Sequence, residues 1–111
     1  MTINGTEMRM LRGDTEVVTV SCETDEGERR PFVDGDKITF TVGTSLGRTL
    51  VAKTVTQFQD GAAVVELAHE DTNGLPPGEY RYDVQLTAAD GTVKTIIPPS
   101  RFVLERDVTR E

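Results

Sequence analysis

Apolar and polar residues alternate with a period of two along nearly the whole chain, and the alternating runs are bounded by Gly, Asp, Asn and Pro. Successive side chains of an extended backbone point to opposite faces, so this period marks strands with one dry face and one wet face. Helical periodicity is nearly absent. The pattern predicts strands at 8–12, 15–24, 37–43, 49–57, 62–68, 79–88, 92–98 and 101–107. In "TEVVTVSCET" the inward set is Val18, Val20 and Cys22, against Val17, Thr19 and Ser21. In "KITFTV" it is Ile38, Phe40 and Val42, and in "EYRYDVQL" it is Tyr80, Tyr82, Val84 and Leu86. "TVKTII" continues the scheme through Val93, Thr95 and Ile97, and "SRFVLERD" through Phe102 and Leu104.

Turn chemistry divides these runs. Asp34-Gly35, Asp60-Gly61 and Asp90-Gly91 each lie between two alternating segments and read as reversals between neighbouring antiparallel strands, since Gly takes the positive φ of a tight hairpin without steric penalty. "TSLGRTL", residues 44–50, reads as a long hairpin tip and "GERRP" as a solvated loop. Pro98-Pro99 lacks the N–H groups a ladder needs and separates the last two predicted strands at an edge or a crossing between sheets. Short strands at this spacing, without crossover helices, predict an all-β fold: an immunoglobulin-like antiparallel β-sandwich of about seven or eight strands. A small barrel is the architectural alternative. The 111 residues form one domain, with residues 1–7 expected as a loose arm.

Composition narrows the function classes. Hydrophobic residues make up 36% and charged residues 28% of the chain, the balance of a folded domain. The net charge of −7, from 12 basic and 19 acidic residues, repels phosphate backbones, and no stretch gathers a basic groove, so nucleic acid is not an expected partner. Nor is a membrane: no run approaches the ~20 apolar residues of a span, and "MTINGTEMRM" lacks the apolar segment of a secretory signal. Cys22 is the lone cysteine, which excludes an internal disulfide and fits folding in a reducing cytoplasm.

The candidate chemistry is sparse. His69, Glu70 and Asp71 bring the only imidazole beside two carboxylates, the residue types of metal ligands and proton shuttles. Three consecutive side chains do not converge on one ion, however, and no second His or Cys pair completes a set. A polar corner between strands is the better reading, with Asp71 and Thr72 opening a turn and Gly74 and Gly78 flanking Pro76-Pro77. Cys22 sits on an apolar strand face, where a thiol is inert packing, and no nucleophile elbow accompanies it. "CETDEGE" and "DGD" lack the alternating ligand spacing of a calcium loop. At 5% aromatic residues and no Trp, a sugar-stacking platform is disfavoured. No catalytic, cofactor-binding or metal-ligating residue is assigned, no cofactor is expected, and the chain does not read as an enzyme.

The order "RGDT", "FVDGDKITFTV", "VAKTVTQFQDGAAVVELAHEDTNGLPPGEYRYDVQL" and "ADGTVKTIIPPSRFVLERDVT" resembles the immunoglobulin-like domain of baseplate and tail structural proteins of phages that infect Gram-positive bacteria, including the N-terminal domain of baseplate upper proteins. The resemblance covers residues 11–109, and "EDT", "PPGEYRYDV" and "FVLERDVT" are its most specific pieces. It implies a non-catalytic virion protein of phage or prophage origin, made in the host cytoplasm and located in the tail or baseplate. Its implied partners are other tail or baseplate proteins and copies of itself. Baseplate upper proteins continue beyond this domain into a holder for receptor-binding proteins, whereas this sequence ends at Glu111, so a connecting or accessory role is the expectation. The alternative is an immunoglobulin-like module that recognises a cell-surface glycan or peptide.

Overall fold

The computed structural model describes residues 2–4, 7–23 and 27–108. In chain order they form β1 (Thr2–Asn4), β2 (Glu7–Leu11), β3 (Glu16–Val20), β4 (Cys22–Glu23), β5 (Arg29–Arg30), β6 (Lys37–Gly43), β7 (Thr49–Val55), β8 (Ala63–Leu67), α1 (His69–Asn73), β9 (Gly78–Thr87) and β10 (Val93–Glu105). The larger sheet is six-stranded with order β1-β2-β10-β9-β6-β7, and the facing sheet pairs β3 with β8. β4 and β5 form a small separate ladder, Cys22 opposite Arg30. This is the all-β sandwich that the alternation predicts. The order β10-β9-β6-β7 opposite β3-β8 matches the variable-type immunoglobulin arrangement.

The alternating residues fill the space between the sheets. Ile38, Phe40 and Val42 of β6, Tyr82, Val84 and Leu86 of β9, Phe102 and Leu104 of β10, and Met8 and Met10 of β2 face Val18, Val20, Val65 and Leu67 in one buried cluster. Cys22 is buried with them and forms no disulfide. At the centre Phe40 stacks on Tyr82 with ring centroids 5.5 Å apart, and Phe102 meets Tyr82 edge-on at 6.2 Å. Each offset or edge-to-face pair of this kind adds about 0.5–1.5 kcal/mol beyond the burial of its rings. Tyr82 has its phenol pKa raised by that burial.

Several expectations are corrected. The two strands expected at 92–98 and 101–107 are one strand, β10, running straight through Pro98-Pro99. The prolines fall in an irregular stretch of the β9–β10 ladder, with register shifts between Thr95 and Ile97 and between Ile97 and Ser100, so their missing N–H groups interrupt pairing without ending the strand. Above that stretch the inward series fails: Val93 and Thr95 are exposed, because the end of β10 runs past the core. The sandwich is also not wholly antiparallel. β2 pairs in parallel with β10, Met8 opposite Phe102 and Met10 opposite Leu104, which sends both methionines inward beside the last strand.

Only one of the Asp-Gly turns joins paired neighbours. Asp90-Gly91 closes the β9–β10 hairpin, where Asp90 Oδ1 accepts the Thr92 N–H at 2.9 Å. Asp60 and Gly61, at φ 52° and 75°, have the double positive φ of a type I′ turn between Gln59 and Ala62. Their flanking strands β7 and β8 belong to opposite sheets, so the turn makes a crossing rather than a hairpin. Asp34-Gly35 likewise leads a loop into β6. "TSLGRTL" is a hairpin tip as expected, between β6 and β7. Two small ladders were not legible: Arg29 and Arg30 of "GERRP" form β5, and within the segment expected to be a loose arm Thr2–Asn4 pairs with β2.

The facing assignment yields a direct test. Phe40 is fully buried and Thr41 points outward, so Phe40→Asp is expected to cost more than about 4 kcal/mol and to abolish cooperative unfolding near room temperature. Thr41→Asp is expected to stay within about 0.5 kcal/mol of the parent. Thermal melts of the two variants check it, and equal melting temperatures contradict the assignment.

Candidate functional site

The cluster that drew notice in the sequence is a brace at one end of the sandwich. Residues 69–73 form a single helical turn, α1, rather than the short turn expected to begin at Asp71 and Thr72. The Asp71 carboxylate accepts the Ala68 N–H at 2.7 Å and closes the helix start, while Lys53 of β7 lies 2.8 Å from the same oxygen. Burial pushes the Asp71 pKa up, but the bond from Lys53 and the Ala68 N–H outweigh it and hold the carboxyl below its usual value. Thr72 is buried, and its hydroxyl accepts the Gly13 N–H at 2.8 Å. His69 Nδ1 lies 2.5 Å from the Gly13 carbonyl oxygen. A carbonyl only accepts, so Nδ1 carries the proton and the ring is tied to the β2–β3 turn.

Arg12 and Tyr80 complete the brace. The Arg12 guanidinium grips Asp107 through Nε at 2.9 Å and Nη2 at 2.8 Å. The Tyr80 hydroxyl donates to the Pro76 carbonyl at 2.5 Å, the tyrosine-corner contact at the entry to the strand that follows the helix. His69 and Asp71 are thus committed to neighbouring backbone or to Lys53, and Glu70 is exposed beside them. Among the described residues no group of three His, Cys, Asp or Glu side chains converges as a metal site would require. Residues 24–26 of "CETDEGE" lie outside the described residues.

At the opposite end a buried carboxylate fixes the loops. Asp36 accepts the Val33 N–H at 3.1 Å and the Arg30 guanidinium at 3.2 Å. Burial raises its pKa, but the Val33 N–H and Arg30 outweigh that effect and leave it lowered. The Phe32 N–H reaches the Gly61 carbonyl at 2.9 Å, and Arg29 donates to the Asp60 carbonyl. The loop before β6 is therefore tied to the β7–β8 crossing by main-chain and arginine bonds together.

A concave feature of the surface lies on the outer face of the larger sheet, where sequence reasoning marked no site. A cleft of about 350 Å³ opens between the β6–β7 hairpin and β9, lined among others by Thr41, Gly43, Ser45, Arg48, Arg81 and Asp83. Gly43 is one of the residues that line it. It stands on the outer side of β6, opposite Arg81 of β9, at a register shift in the β6–β7 ladder. A Cβ at Gly43 would come within 2.6 Å of the Arg48 carbonyl oxygen, so only glycine lets the hairpin close down there. Arg48 and Arg81 line the hollow beside it. Pro99, in the irregular stretch of β10, lines the cleft as well.

Both ends of the molecule carry a carboxylate with a lowered pKa, which sets the pH dependence. Such a group contributes stability that is complete above its unfolded pKa and is lost as the pH falls through the folded value. The domain is therefore expected to weaken on acidification below about pH 4. Asp71→Asn is expected to be less stable than the parent by about 1–2 kcal/mol at pH 7, with the gap closing as the parent is protonated. Urea midpoints from pH 7 to pH 3 check this, and parallel curves for the two proteins would refute the lowered Asp71 pKa.

No protein-family model matches the chain, and no curated protein matches it significantly.

Proposed function

We propose that the chain is a non-catalytic immunoglobulin-like module of a phage or prophage virion, a tail or baseplate component that works by docking onto neighbouring proteins. The observation that carries this reading is the incomplete second sheet. β8 has β3 as its strand partner and, among the described residues, no strand on its other side. An edge of this kind offers alternate backbone N–H and C=O groups to a strand from a partner, which is a general route to assembly. The polar groups at both ends support the same reading, because they are spent on bracing loops and turns.

The phage assignment rests on the resemblance of "EDT", "PPGEYRYDV" and "FVLERDVT". These segments fall on α1, the approach to β9 together with β9 itself, and β10 into the residues after it. They belong to the frame that holds the sandwich, and other tail or baseplate proteins, or further copies of the chain, are the partners proposed to meet it. No helix among the described residues is long and apolar enough to cross a membrane.

A second reading, a binding module for a cell-surface glycan or peptide, is favoured by the cleft above Gly43. Mass spectrometry of virions purified from the strain that encodes the chain tests the first reading. The protein is expected in assembled particles at a fixed ratio to the major tail proteins, and its absence from them overturns the virion role. A glycan array tests the second, with saturable binding lost on substitution of the 44–48 tip as the supporting result.

A further inference from the structure

The six-stranded sheet carries four arginines on or beside its outer face in two unequal settings. Arg9 and Arg101 both reach Glu7 at 3.1 Å, and Arg101 also reaches Glu79 at 3.1 Å, so this pair is neutralised. Arg81 stands directly opposite Arg101 across the β9–β10 ladder yet forms no ion pair among the described residues. Like charges facing each other across strands destabilise a sheet. Arg48, on the far side of Gly43, likewise has no ion pair among the described residues. In a chain of net charge −7, two arginines thus line one cleft with no ion pair to a carboxylate among the described residues.

We propose that the hollow above Gly43 is an oxyanion site, in which Arg48 and Arg81 take up a carboxylate or phosphate group of a ligand. Guanidinium forks bind planar carboxylates and phosphates through paired N–H donors. The hydroxyls of Thr41 and Ser45 and the carboxylate of Asp83 line the same cleft and suit hydroxyl or amide groups adjoining that anion. The site is built into the sheet: the Arg48 carbonyl packs where only a glycine at position 43 admits it, and the Thr44 N–H bonds that carbonyl at 2.9 Å. The inference rests on the reading of the cleft as a ligand site and leaves the docking role of the β8 edge untouched.

Nuclear magnetic resonance titration of the full chain with sodium phosphate and, separately, sodium acetate tests it, with sodium chloride at matched ionic strength as the control. The expected result is saturable shifts of the Gly43, Arg48 and Arg81 amides and of both arginine Nε–H signals. Arg81→Gln and Arg48→Gln are each expected to weaken that binding about tenfold or more while the remaining amide spectrum is unchanged. Saturation by phosphate alone or acetate alone identifies which oxyanion the site takes. Shifts that fail to saturate, that match the chloride control, or that persist in both variants overturn the proposal. Glycan binding at the 44–48 tip without response to either anion sinks the oxyanion site and leaves the binding-module reading standing.

Discussion

Three rings on adjacent strands, Phe40 of β6, Tyr82 of β9 and Phe102 of β10, lie against one another at the centre of the sandwich, and the rest of the structure depends on that contact. An antibody-type sandwich centres on a buried Trp packed against a disulfide between its sheets. Here Tyr82, two residues beyond the corner tyrosine Tyr80, occupies the place of the second cysteine, and Phe40 on β6 fills the role of the ring packed against it. Dispersion and burial thus do what a covalent link does elsewhere, which suits a chain whose single cysteine, Cys22, lies buried in the core with no second cysteine in the sequence.

A core closed by side chains from one face of each strand leaves the opposite faces and the two ends free to differ. One end is braced by Gly13, His69, Thr72, Asp71 and Lys53, and the other by Arg30, Val33 and Asp36. Each brace satisfies backbone groups that turns would otherwise leave open to water. The polar residues most suggestive of chemistry are the ones most fully used in this way. The surface features with unmet bonding capacity are plainer: an edge on β8 and a hollow at Gly43.

Much of the fold was legible because a period of two reports directly on which side chains are buried. Phe40, Tyr82, Val84 and Leu104 are inside as their positions require. What was not legible involved information between strands. Whether Asp60-Gly61 makes a hairpin or a crossing depends on which sheet receives β8, and no local signal encodes that. The prolines at 98 and 99 are tolerated inside β10 because irregular pairing there asks less of their backbone, a property of the partner strand. The α1 turn is too short for a helical period to show. The corner itself was readable from "HEDTNGLPPGEY", since capping Asp, Gly and Pro residues act locally. The cleft was not, because it is lined by Arg48 of the hairpin and Arg81 of β9, residues far apart in sequence that only strand pairing brings together.

Amide hydrogen exchange resolved by residue tests the central contact most directly. If the aromatic line holds the sandwich, the slowest amides are those of Phe40, Val42, Tyr82, Val84 and Phe102, exchanging together through global unfolding, while the 44–48 tip exchanges orders of magnitude faster. Exchange at Phe40 and Tyr82 as rapid as at the tip, or a most protected set confined to α1 and the 28–36 loop, would contradict it.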